Sequence, residues 1–364
     1  KDDKWEKLFG VRRREDESDL QQVHCNLALA IQVVTEEVVI KMAKEAQRLT
    51  GSKNLCMAGG VALNCVANGK LQNGKIFENI FIQPAAGDAG GALGAALAAY
   101  HLHFEKEREK VTSADRMSGS YLGPEYSDAE ILKMAKKQKA QYHFFPDFDE
   151  LAERAATLLN EGNVVGWFQG KMEFGPRALG GRSILADARN PEMQKKLNLK
   201  IKFREGFRPF APSVLAEEKN NYFDLPSDSP YMLLVQPVKK ERQIAVPADY
   251  HNRSITEKLY FLRSDLPSIT HIDYSARVQT VHKETNERYW KLINSFKKLT
   301  GCGVIVNTSF NVRGEPIVCT PADAYTCLMR TDMDYLVIGN YLFAKNEQPE
   351  WKEKDDWRLK YKLD

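Results

Sequence analysis

The chain lacks most of the features that would assign it quickly. Its 52 Lys and Arg residues nearly balance 49 Asp and Glu, leaving a formal net charge of +3 over 364 residues. That is too little to imply a nucleic-acid partner, so any anion binding must be local. The six cysteines, Cys25, Cys56, Cys65, Cys302, Cys319 and Cys327, form no CxxC pair. They read as scattered thiols of a reducing compartment, which predicts a cytoplasmic location. No apolar run is expected to reach membrane-spanning length and no signal peptide opens the chain, so no membrane partner is expected. Internal repeats and low-complexity tracts are absent. Histidine is sparse. His24 stands alone at the start of a long helix, and His101 and His103, two apart, would point to different helix faces and make a poor metal pair.

What is present is globular: 43% apolar and 28% charged residues, enough for two or three domains. The pattern predicts an α/β fold. A long amphipathic helix (Asn26 to Gly51) comes first, then a buried strand "NLCMAGG" and a helix over Val61 to Gln72. A strand at Asn79 to Pro84 and a glycine-rich loop running into an alanine-rich helix, Ala85 to His103, follow. The polar stretch Arg108 to Ser120 is the expected boundary, dividing the chain into 1–118 and 119–364. Beyond it, helices are expected near Ser127 to Lys139, Asp149 to Gly162, Asn286 to Thr300 and Pro321 to Arg330. Strands are expected at Asn163 to Phe168, "SVLAEE", Tyr231 to Val238, Ala276 to Val281 and the start of "GVIVNTSFN", with a closing hairpin over Tyr335 to Lys345. The charged tail "EWKEKDDWRLKYKLD" reads as solvated.

Two groups of residues carry chemistry. In "MAGGVALN" and "QPAAGDAGGALGAA" a strand ends in glycines and a helix begins, so backbone N–H groups can approach a phosphate closely. Gly59, Gly60, Gly90 and Gly91 are the candidates, with Asn64 as a polar contact. Asp88 suits a metal ligand or a helix N-cap, and the cap is preferred because Asp is a favoured cap residue. The second group is "KMEFGPRALGGRSILADAR", "KIKFREGFRPFAP", "THIDYSARVQTV" and "VNTSFNVRGEPIV". The first of these is expected to be a shaped loop, stiffened by proline and glycine. Arg177, Lys202, Arg204, Arg208 and Arg277 together would neutralise several phosphate charges, arginine by bidentate forks and lysine as a point charge. Asn307, Ser309 and Asn311 follow an apolar strand and stand where open α/β sheets bind ligands. His271 with Asp273 is either a base with its orienter or a structural hydrogen bond. Glu173 and Glu315 either accept from an ammonium or amide or tether arginines.

Taken in order, "GGVALN", "GDAGGALGAA", "KMEFGPRALGGRSILADAR", "FRPFAPSVL", "ARVQTV" and "NTSFNVRGEPIV" resemble the carbamoyltransferases of the nodulation-protein and antibiotic O-carbamoylation family. The resemblance runs from about Asn26 to Lys345. It implies the second half of an actin-like domain of the tRNA threonylcarbamoyl-transfer type, followed by a YrdC-like domain with an open twisted sheet. It also implies carbamoyl phosphate and ATP with Mg²⁺ as substrates, and transfer through carbamoyl adenylate to a hydroxyl of a sugar, antibiotic or other small metabolite. On the family's motifs, the carbamoyl-phosphate and adenylate contacts fall on Arg177, Lys202, Arg208, Arg277, Asn307 and Ser309. The aspartate ligand of the family's iron or other divalent metal falls on Asp88.

Two departures are visible. Tyr274 and Ser275 stand where the family usually has Gly-Thr, so a bulky Tyr274 is expected to reshape the adenylate pocket. The histidine pair of the family's metal site and one phosphate hairpin have no counterpart in the sequence, which predicts a carboxy-terminal fragment. Such a fragment is expected to hold no iron, to lack full transfer activity and to bare apolar surface on its first helix that favours homo-oligomers. The alternatives are an RNA-modifying enzyme of threonylcarbamoyl type and a non-catalytic nucleotide-binding module.

Overall fold

A computed structural model describes residues 2–15, 18–108, 115–353 and 357. The elements run in chain order: α1 (Asp2–Phe9), α2 (Gln22–Thr50), β1 (Asn54–Met57), α3 (Cys65–Asn73), β2 (Asn79–Ile82), α4 (Asp88–Ala98), α5 (Asp128–Gln138), β3 (His143–Phe144), α6 (Phe148–Asn160), β4 (Val165–Phe168) and β5 (Arg182–Asp187). They continue with α7 (Met193–Lys196), β6 (Ala211–Leu215), β7 (Leu234–Pro237), α8 (Ile255–Leu259), β8 (Ser275–Val281), α9 (Glu287–Thr300), β9 (Val304–Ser309), α10 (Pro321–Arg330), β10 (Tyr335–Ile338) and β11 (Tyr341–Ala344).

Nine strands form one open mixed sheet in the order β3-β11-β10-β4-β5-β9-β6-β8-β7. Within it β4 pairs in parallel with β10, and β6 with β8; the remaining neighbours are antiparallel. Strands β4, β5 and β6 are buried along their whole length, which requires cover on both faces. Helices α6 and α9 pack together over β4, β5, β6 and β9, while α10 packs on β4 and β10. The expected α/β class and open sheet are therefore the observed ones.

The earlier segment is smaller. β1 and β2 form a separate two-stranded parallel sheet. A satellite core of Ala43, Leu71 and Phe77, with Val39, Ala46, Leu55 and Ile80 around it, holds α2 and α3 to that sheet. α3 also crosses to the large sheet. Gly69 lies so close to β7 that a Cβ there would sit 2.1 Å from the Val235 carbonyl oxygen. Asn68 Nδ2 donates to the Leu233 carbonyl at 3.1 Å.

Four expectations need correction. The long loop expected over Lys171 to Arg189 contains strand β5, because Arg182–Asp187 pairs between β4 and β9 and is buried on both faces. The helix expected over Val61 to Gln72 is broken at Asn64, which caps α3 by accepting from the Ala67 amide. α2 has 29 residues and is, by length and composition, long and apolar enough to cross a membrane, contrary to the expectation that no run reaches that length. In the tail, Trp357 is buried, with its ring against Phe203 and beneath the Arg330 guanidinium. Of the expected boundary stretch, 109–114 lie outside the described residues.

Candidate functional site

β9 places Asn307 and Ser309 at its carboxyl end, and β8 carries Arg277 two strands away. Ahead of β6, a π turn at Leu197–Ile201 redirects the chain into the segment 202–210. π turns recur at functional sites because they re-aim the side chains that follow. From these elements a cavity of about 430 Å³ forms, walled by Arg177, Arg204, Arg208, Arg277, Asn307 and Ser309, with Leu63 and Cys65 closing it from α3's side. Its volume falls in the range of small-molecule sites. Among the described residues no carboxylate lines it.

The loop carrying Arg177 is held from within. Glu173 is buried and accepts from the backbone amides of Leu179 at 2.6 Å and Gly181 at 2.7 Å. Glu173 is thus a brace for the loop. Gly175 has φ of +141°, and a Cβ there would meet the Pro84 carbonyl oxygen at 2.8 Å, so the loop abuts the end of β2. Arg182, fully buried, donates to the carbonyls of Gln169, Gly170, Gly181 and Pro124 and stacks on Phe168, which makes it structural. Arg177 Nη2 reaches the Leu63 carbonyl at 3.4 Å. The wall is therefore built jointly by the first segment and the large sheet.

Crowding of like charge shapes the electrostatics. Burial lowers Arg277 to about 10, helped by the Arg177 guanidinium. Burial likewise lowers Arg204 to about 10, with Arg208 and Arg277 adding to it. A dianion in the cavity would relieve both effects. The Nε atoms of Arg177 and Arg277 and the Oδ1 of fully buried Asn307 have no partner. Asn307 Nδ2 is spent on Ala178, Ser213 and Gln279.

Lys202 departs from the expected arrangement. It lies behind the cavity wall, its Nζ held by the Ser309 carbonyl, Ser309 Oγ at 3.3 Å and Asn311 Oδ1 at 2.9 Å. Burial lowers it to about 7, and the Arg204 guanidinium adds to the shift. Arg204, oriented by Asn198 Oδ1 at 2.7 Å, takes the lining place instead.

The first motif group is distributed differently. Asn64 is committed to capping α3 and to Gln32, with which it exchanges two hydrogen bonds. Gly59 donates its amide to the Ala86 carbonyl at 2.7 Å, and Gly90 backs onto the Ala85 carbonyl, where a Cβ would sit 2.2 Å away. Gly60 and Gly91 have open space where a side chain would be. None of these residues lines the arginine cavity. Asp88 is exposed and is the first residue of α4, with Gly87 in the cap position and no side-chain cap bond. The preferred cap role is thus displaced by one residue, and Asp88 faces the helix dipole instead. Among the described residues no three His, Cys, Asp or Glu side chains cluster as a metal site, so Asp88 has no set of co-ligands there.

His271 lines the cavity, and burial lowers its imidazole below the ordinary range. Asp273 Oδ1 takes the amide and hydroxyl of Ser275 at 3.1 and 2.7 Å, while its charge raises the imidazole against that burial. Tyr274 adopts φ of +63°, a conformation that favours glycine, and its hydroxyl donates to the Ile244 carbonyl at 2.9 Å. Its side chain is absent from the wall of the arginine cavity. Beside His271 and Pro209 a second cavity opens, of about 520 Å³ and largely apolar, with Phe207, Leu259 and Ile272 in its wall.

Residues 156–345 match the family model described as carbamoyltransferase C-terminus, and residues 2–97 the one described as carbamoyltransferase N-terminus. The chain belongs to the carbamoyltransferase family. An uncharacterized protein of Synechocystis, sll1178, is 54% identical over 99% of this chain and 59% of its own length. The nodulation protein NolNO of Sinorhizobium fredii is 40% identical over 96% of this chain and 48% of its own. The chain thus spans roughly half to three fifths of these relatives. A crystal structure of full-length HypF, in a phosphate- and nucleotide-bound form, overlaps at a TM-score of 0.32 and 19% identity, covering 52% of this chain and 21% of that one; so slight a likeness carries no weight. In this carbamoyltransferase family chain, Arg177, Arg208, Arg277, Asn307 and Ser309 share one cavity, and Lys202 backs it.

Proposed function

We propose that this chain is the part of an ATP-dependent O-carbamoyltransferase that activates carbamoyl phosphate as carbamoyl adenylate. The observation that carries the reading is the convergence of Arg177, Arg204, Arg208 and Arg277 on a cavity without carboxylates. Carbamoyl phosphate and ATP are both anions, and a carbamate oxygen must approach the α-phosphorus of ATP while pyrophosphate leaves. Fixed guanidiniums offset that repulsion and the charge of the leaving group without reorganising during the reaction. Ser309 and Asn307 add hydrogen-bonding groups at the strand end, and the adjoining apolar cavity offers room for the uncharged part of a nucleotide. Mg²⁺ would arrive with ATP, since the wall holds no carboxylate for it. The acceptor would be a hydroxyl of a small metabolite, in keeping with the nodulation proteins among the relatives. The six free thiols agree with a cytoplasmic setting.

Incubation of the chain with ATP, carbamoyl phosphate and Mg²⁺ should yield AMP and pyrophosphate in equal amounts, dependent on carbamoyl phosphate. Release of ADP, or AMP formation unaffected by Arg277→Gln, would rule this reading out.

A further inference from the structure

Cys65 opens α3 with a buried thiol that lines the arginine cavity. Arg177 Nη2 lies 3.6 Å from its Sγ. Arg277 is a neighbour too, since the thiol favours the charged form of that guanidinium. On its other side Sγ faces the carbonyl oxygens of Leu63 at 3.3 Å and Met232 at 3.7 Å. The sulfur thus lies beside guanidiniums in a cavity wall, the electropositive surroundings in which reactive cysteines sit. Fully buried Asn307 in the same wall keeps its Oδ1 without a partner, as do the Nε atoms of both arginines, so the cavity holds polar groups that a ligand would satisfy. The other buried thiols differ. Burial raises Cys302 and takes Cys327 up to about 12, and neither lines this cavity.

We propose that Cys65 is a peroxide-sensitive thiol whose oxidation closes the cavity to its anionic ligand, and that this ligand in turn shields it. The Cys65 sulfur attacks one oxygen of a hydroperoxide. The S–O bond forms, the O–O bond breaks, and the thiol proton passes to the departing oxygen, which leaves as water or an alcohol. Sulfur loses two electrons, the peroxide gains them, and the product is the sulfenic acid. Its oxygen stands between Arg177 and Arg277 and takes hydrogen bonds that a phosphate oxygen would otherwise receive. A small thiol reverses the change: it attacks the oxidised sulfur, water leaves, and a second thiol resolves the mixed disulfide.

The proposal rests on the cavity being an anion site, which calorimetric titration with inorganic pyrophosphate measures separately. The full chain is pulsed with hydrogen peroxide in the presence of a dione trap for sulfenic acid, and each cysteine is followed by peptide mass spectrometry. Cys65 should be trapped at least about tenfold faster than Cys302, and Arg177→Gln should slow it. Saturating pyrophosphate should protect Cys65 several-fold and leave exposed Cys56 unchanged. Oxidised protein should lose pyrophosphate affinity about tenfold or more and regain it with dithiothreitol, whereas Cys65→Ser should keep whatever affinity it has through peroxide treatment. A chain that binds no pyrophosphate overturns the anion-site reading together with this one. A chain that binds it, yet traps Cys65 no faster than Cys302 or equally fast with pyrophosphate bound, overturns this proposal alone.

Discussion

Four guanidiniums facing one cavity destabilise the empty protein and prepare it for an anion. Arg204 and Arg277 are lowered by burial, and neighbouring guanidiniums add to the effect. Arg277→Gln should therefore weaken pyrophosphate binding by one to two decades, the ~1.5–3 kcal/mol of a hydrogen bond to a charged group. The same variant should melt no lower than the parent, because a buried like charge has been removed; calorimetry and a thermal scan on one sample check both. Lys202 adds a pH signature. Its folded value of about 7 lies below the ordinary lysine range, so the fold is penalised while both states are protonated, below about pH 7. That penalty is relieved as pH rises above 7, where the folded state sheds the proton and the unfolded state keeps it. A bound dianion favours the ammonium, so binding should take up a proton and weaken by up to about tenfold per pH unit above 7. Sulfate, which does not titrate near neutrality, is the suitable probe, and Lys202→Met should flatten the profile.

At the scale of elements, α3 joins the two parts of the molecule. Its first residue walls the cavity and its middle lies against β7 through Gly69. Gly69→Ala forces a methyl group onto the Val235 carbonyl and should cost about 1–3 kcal/mol in denaturant unfolding, the usual range for overpacking. It should also weaken pyrophosphate binding, since Leu63 and Cys65 would shift away from Arg177. Loss of stability with unchanged binding would mean that α3 serves packing alone. The glycine was visible in the sequence, but its reason was not, because β7 lies more than 160 positions further along the chain. Strand β5 was hidden for a related cause. Its polar ends, Arg182 and Asp187, disguise a segment that central pairing buries on both faces.

Across the whole molecule, apolar surface is concentrated on the early segment. Leu29 and Met42 of α2 are 64% and 68% exposed, and Leu97, Tyr100, Leu102 and Phe104 form a second group at and after the end of α4. Exposed apolar side chains gathered on one segment favour association. Sedimentation of the chain should show concentration-dependent self-association, and the double substitution Leu29→Lys with Met42→Lys should abolish it without changing pyrophosphate affinity. A monomer at all concentrations would mean that α2 leaves its apolar face in water.

The sequence by itself determined the family, the α/β class and the arginines, Asn307 and Ser309 of the cavity wall: the arginines sit in proline- and glycine-stiffened frames, and Asn307 and Ser309 follow an apolar strand. Local patterns of this kind are written in neighbouring residues. Only the tertiary structure decided that Lys202 stands behind Ser309, that Arg204 replaces it in the wall, that Glu173 braces a loop, and that Cys65 meets Arg177 and Arg277. Those outcomes depend on which strands become neighbours in a nine-stranded sheet and on how closely α3 approaches it. Hydrophobic periodicity specifies that a strand is buried; it carries no label for the strand beside it, and burial of charge is settled by that neighbour.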